Sequence, residues 1–202
     1  MIMPRLKHKL HALLKDAVRV AVVGIGSDLR GDDAAGMLVL EHLRECLKIS
    51  SNPSMNKSWR SKKPMIKLFN GGTAPENLTG EIRCFKPGHL IMIDAVDLAR
   101  KTGMIELVDL QKTANTVFLT HKLPVKLMID FLAAEIEFIT IFIGIQPKNL
   151  DFGAPVSSEV ARAVRDLGDL LALIFNASAR GRCYPAGRRK PSRQRLQELP
   201  GR

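Results

Sequence analysis

A chain of 202 residues is long enough for one well-buried domain with extensions, and short for two. Its net charge of +11 comes from 31 Lys and Arg against 20 Asp and Glu, and no uninterrupted apolar run reaches the roughly 18–20 residues of a membrane span. Cys46, Cys84 and Cys183 are widely spaced, form no C-x-x-C pair and read as free thiols, which excludes a disulfide framework and a zinc knuckle.

The basic charge is peripheral. Residues 1–19, 48–67 and 176–202 hold 19 of the 31 Lys and Arg but only two acidic residues, so the body between them is mildly acidic. The stretch 48–64 and the tail 178–202 are rich in Arg, Lys, Pro, Ser and Gly, a composition expected to stay solvated and, in the tail, disordered. Contact with an acidic partner is the alternative. Nucleic acid is disfavoured as a main partner, because Tyr184 is the tail's sole aromatic residue and offers no stacking pattern.

In chain order, residues 1–17 read as a basic N-terminal extension, and LHALL is too short for a signal-peptide core. The next apolar run leads straight into a glycine loop, so a cytoplasmic protein is expected. Arg19–Gly24 reads as a buried strand and Asp32–Leu47 as a helix. After the basic connection, Met65–Phe69 is a short strand ending at Asn70-Gly71-Gly72-Thr73, and Ala74–Leu78 a helical turn opened by Pro75. Ile82–Phe85 reads as a short strand or as the approach to the continuous apolar strand His89–Val96. Met104–Leu110 alternates as a more exposed strand. Leu123–Ile136 has helical spacing, Glu137–Gln146 is a second buried strand, and Pro155–Phe175 is an amphipathic helix capped by Ser157 or Ser158. Strands alternating with helices over 18–177 predict one open α/β sheet covered on both faces.

The stretch VAVVGIGSDLRGDDAAG, residues 20–36, concentrates the chemistry. A glycine loop between strand and helix ordinarily attracts phosphate. Here Asp32 and Asp33 would repel one, and the glycine spacing is G-x-G-x-x-x-x-G, not the dinucleotide pattern. The loop therefore suits a cation or a hydrolytic site. Asp94, with Asp97 behind it, closes the run HLIMIDAVD, and His121 precedes the helix containing Pro124. Ligands in open α/β sheets bind at the carboxyl ends of the strands, so Asp33, Asp94 and His121 can meet on one rim. Two carboxylates and one imidazole suit a divalent metal with a position left open. Each also has a plain reading. Asp32 or Asp33 alone could serve the helix dipole, Asp94 could be a turn residue, and His121 a surface or capping residue. His8, His11, His42 and His89 read as packing or surface residues. No G-x-S-x-G elbow is present, and nothing in the sequence places a basic partner beside Cys84.

Taken in order, GIGSDLRGDDAAG, NGGTAPENL, IMIDAVD, THKLP and IGIQP resemble the hydrogenase maturation endopeptidases over about residues 18–175. The resemblance implies a three-layer α/β/α fold with a central mixed, mostly parallel sheet of about five strands. It implies an endopeptidase that removes the C-terminal extension of a nickel–iron hydrogenase large-subunit precursor after nickel insertion. It further implies that Asp33, Asp94 and His121 form a metal-binding triad, that nickel borne by the substrate guides recognition, and that no nucleotide cofactor is needed. A metal held by the triad itself, or one aspartate acting as general base without a metal, stays open beside engagement of the substrate's nickel. Ala34 stands where the family has glycine, and an ordinary helical φ is expected there. Two alternatives accompany this reading: a non-enzymatic nickel-binding hydrogenase assembly chaperone, and a nucleotide-binding Rossmann-like domain.

Overall fold

The computed structural model describes residues 3–49, 64–110 and 122–177. A helix α1 (Met3–Leu14) leads into strand β1 (Arg19–Ile25), a 3-10 turn (Gly31–Ala34) and helix α2 (Ala35–Leu47). Strand β2 (Met65–Gly72), a 3-10 turn (Pro75–Leu78) and helix α3 (Thr79–Phe85) follow. Next come β3 (His89–Ala95), β4 (Ile105–Leu107), α4 (Lys122–Glu135), β5 (Ile139–Ile145) and α5 (Ser158–Ala177). The five strands form one sheet in the order β2-β1-β3-β5-β4, parallel except for β4 at the edge. This is the expected mixed, mostly parallel α/β/α sheet.

Side-chain alternation assigns each strand's two faces to different helix layers. Val20, Val22, Ile91, Ile93, Ile141 and Ile143 pack under α1, α2 and α5. Ala21, Val23, Ile25, Leu90, Met92 and Phe142 pack under α3 and α4 with Ile82, Phe85, Met128 and Leu132. Burial on both faces explains why the central strands read as uninterrupted apolar runs.

Several boundaries differ from the sequence reading. Residues 1–17 are more than a basic extension. Leu6, Leu10 and Leu14 recur every four residues on one face of α1, are buried, and join the same core as α5. Ile82–Phe85 is helical, not extended, because Thr79–Phe85 continues the turn opened by Pro75. The strand expected over Met104–Leu110 shrinks to Ile105–Leu107, since it pairs on one side alone, antiparallel to β5. The expected helix at Asp32 begins as a 3-10 turn, and Ala34 has φ −65°, the helical value anticipated for it. The tail 178–202 and most of the connection 48–64 lie outside the described residues.

Candidate active site

Because β1, β2, β3 and β5 run parallel, their carboxyl ends share one rim. Gly26, Gly72, Asp94 and Gln146 stand at or beside those ends. Two glycines bring α2 down onto the rim. A Cβ on Gly36 would lie 2.2 Å from the Ile93 carbonyl oxygen and 2.4 Å from that of Ile25, so only glycine lets the helix entry touch the ends of β1 and β3. Gly26 has φ 131° and faces the Asp33 carbonyl so closely that a Cβ would fall 1.7 Å from its oxygen. These approaches carry Asp33, three residues before Gly36, to the end of β3 where Asp94 lies.

Asp33 and Asp94 are both buried, at 3% and 0% exposure. Burial pushes the Asp94 carboxyl up to about 8, and repulsion from the Asp33 carboxylate adds to it, with the Ala95 N–H pulling weakly the other way. Among the described residues, neither Asp94 carboxylate oxygen has a well-formed hydrogen-bond partner. A carboxylate left in this condition demands either a proton or a cation.

The neighbouring Asp32 is equally buried but has a different role. Its carboxylate accepts hydrogen bonds from the Lys148, Asn149 and Ser157 backbone N–H groups and from the Ser157 hydroxyl, at 2.7–3.1 Å. Its own N–H donates to the Asn149 carbonyl at 2.9 Å. Asp32 is thus a strut between the glycine loop and the loop 147–157. The Arg30 guanidinium to the Leu150 carbonyl and the Gly153 N–H to the Leu29 carbonyl extend the same seam. Two buried carboxylates at the helix entry leave no place for the phosphate that a dinucleotide domain would bind there.

Sequence reasoning assigned no role to Gln146. Its side-chain oxygen accepts from the Leu98 and Arg100 N–H groups, and its amide donates to the Asp97 carboxylate and the Pro147 carbonyl. It thereby shapes the turn that follows Asp94, where Ala99 is held at φ +52° with its N–H bonded to Asp97. The signal was present in EFITIFIGIQ, a polar residue ending a buried strand, by the same criterion that selects Asp94. His121 lies outside the described residues, immediately before α4 in the chain. The structure therefore brings Asp33 and Asp94 together and assigns Asp32 elsewhere.

An α/β/α sheet protein whose rim concentrates buried carboxyl groups is the class these features define. The family profile for hydrogenase maturation proteases (HycI) matches residues 54–172. A Methanocaldococcus jannaschii protein assigned as a hydrogenase maturation protease is 32% identical over 155 residues, covering 77% of this chain and 87% of that one. The hydrogenase 3 maturation protease of Escherichia coli K12 is 33% identical over 141 residues, 69% of this chain and 80% of its own. The crystal structure of the [NiFe] hydrogenase maturation protease HycI from Thermococcus kodakarensis superimposes with a TM-score of 0.70 at 27% identity, covering 83% of this chain and 99% of that one. The chain belongs to the hydrogenase maturation protease family and is a peptidase. No helix among the described residues is long and apolar enough to cross a membrane.

Proposed function

We propose that this chain acts in the cytoplasm as an endopeptidase that removes the C-terminal extension of a nickel–iron hydrogenase large-subunit precursor. In this reading Asp33, Asp94 and His121 engage nickel already held by the precursor, so the metal belongs to the substrate. The observation that supports it is the buried Asp33–Asp94 pair, in which Asp94 holds its proton up to about pH 8 for want of a compensating charge.

A docked divalent cation supplies that charge. On docking, Asp94 gives up its proton and both carboxylates turn their oxygens to the cation, as hard oxygen ligands do. Nickel brought by the precursor then anchors the adjoining chain segment against the rim, where water hydrolyses the scissile peptide bond. A precursor without nickel offers nothing to offset the paired carboxylates and is held poorly. Docking geometry, fixed by Gly36 and by the Asp32 strut, converts metal occupancy into selection of the substrate.

Incubation of the full chain with nickel-loaded precursor, read by mass spectrometry, tests the reading. Loss of the C-terminal extension is expected. An unchanged precursor mass, with the protein still bound to it, would instead indicate a nickel-binding assembly chaperone.

A further inference from the structure

A second constellation of ligating side chains lies away from the rim, where α2 faces α5. His42 and Cys46 stand one turn apart on the same face of α2, and Asp169 faces them from α5. The His42 Nε2 lies 2.8 Å from Asp169 Oδ1 and 3.5 Å from Cys46 Sγ, and Sγ lies 3.5 Å from the same carboxylate oxygen. One ligand atom from each residue falls within 4.8 Å of the other two. The cluster begins roughly 10 Å along α2 from its first residue, so it is separate from Asp33 and Asp94. A notch in α5 admits the imidazole, since a Cβ on Gly168 would stand 2.5 Å from the His42 ring. Glycine in a helix interior costs about 1 kcal/mol relative to alanine, and here it makes room for the His42 ring.

We propose that His42 Nε2, Cys46 Sγ and the Asp169 carboxylate form a binding site for a divalent transition-metal ion of borderline softness, zinc first among them. Ligands about 2.3 Å (sulfur) and about 2.0–2.2 Å (nitrogen, oxygen) from a tetrahedral ion stand about 3.3–3.6 Å apart. Two of the three observed separations already have that length. The third, the 2.8 Å contact of His42 with Asp169, needs to open by about half an ångström. The alternative of a Cys–His–Asp catalytic relay conflicts with the geometry. A relay uses one ring nitrogen for the thiol and the other for the carboxylate, whereas both contacts here converge on Nε2. Convergence on one point is what a shared ion requires.

On binding, the ion replaces the proton on Nε2, which moves to Nδ1, and the Cys46 thiol that now donates to Asp169 releases its proton to solvent. The His42 side chain is 24% exposed and that of Asp169 68%, which leaves the fourth position open to water. The bound ion would clip α2 to α5, the helix that begins one residue after Ser157, the anchor for Asp32.

Cobalt(II) titration of the reduced full chain tests the site, because a thiolate ligand gives a near-ultraviolet charge-transfer band that a carboxylate–histidine site cannot produce. The band should saturate at one ion per chain and vanish on adding zinc. Cys46→Ser should abolish it, and His42→Ala should weaken cobalt binding at least about tenfold. The Cys84→Ser/Cys183→Ser and Asp33→Asn/Asp94→Asn double variants should keep it. Zinc should raise the thermal midpoint of the Asp33→Asn/Asp94→Asn variant, and this rise should disappear when Cys46→Ser is added to it. No band in the parent chain, or an undiminished band in Cys46→Ser, would overturn the proposal.

Discussion

Asp32 and Ser157 are joined twice: the serine backbone N–H and its hydroxyl both donate to the aspartate carboxylate, at 2.7 and 3.0 Å. This pair ties the entry of α2 to the entry of α5 across 125 positions of sequence. Asp33, the next residue, is buried at the end of β3 beside Asp94. Two adjacent aspartates thus serve different places: Asp32 holds the loop 147–157, and Asp33 lies against Asp94.

Asp32→Ala should therefore destabilise the fold without touching the proposed ligand set. It leaves three backbone N–H groups and a hydroxyl without their acceptor in a buried place, at a cost of about 2–4 kcal/mol. Urea unfolding would measure this. A change under about 0.5 kcal/mol would mean that the loop 147–157 is held by other contacts.

Gly36→Ala tests the close approach that positions Asp33. At an ordinary helical site this substitution stabilises by up to about 1 kcal/mol. At position 36 the new Cβ would strike the carbonyls of Ile25 and Ile93. Separation of α2 from the sheet ends should cost about 1–3 kcal/mol and reduce processing of the precursor. A stabilised, fully active variant would contradict this account of the helix entry.

The fold was legible where burial is uniform, and the meeting of Asp33 with Asp94 was legible at the strand ends. HLIMIDAV and EFITIFIGIQ announce central parallel strands because both of their faces are covered. Ile82–Phe85 resisted reading because a four-residue apolar run has no period of its own, and its helix is set by Pro75 further upstream. Asp32 and Asp33 cannot be told apart in sequence by their surroundings. Their partners sit 61 to 125 residues away, on β3 and on the loop before α5. Leu6, Leu10 and Leu14 did carry a helical period, but the surrounding lysines and arginines outweighed it in a reading by composition.

That α1 belongs to the folded body predicts a large effect of Leu10→Ala. Leu10 is fully buried in the core shared with α5, and a leucine truncated there typically costs about 2–5 kcal/mol. Thermal unfolding of the variant would show it. An unchanged midpoint would return α1 to the status of an appendage.

Asp94 should leave a mark on the pH dependence of stability in metal-free protein. Its carboxyl titrates near 8 when folded and near 3.8 when not, so the folded state holds the extra proton between those values. Stability should fall as pH rises through that window and level off above about 8, with a bound of about 1.4 kcal/mol per unit of pH. Asp94→Asn should remove the slope and be the more stable protein at pH 8. Parallel curves for the two proteins would contradict the burial assigned to this carboxyl.

The most direct test of the account compares three substrates at equal concentration: nickel-loaded precursor, the same precursor without nickel, and a short metal-free peptide spanning the cut site. The expected outcome is cleavage of the loaded precursor alone. Asp33→Asn, Asp94→Asn and His121→Ala should each slow that cleavage by at least about 100-fold while remaining folded. Cutting of the metal-free peptide at a rate similar to that of the loaded precursor, or full activity in Asp94→Asn, would contradict recognition through nickel borne by the substrate.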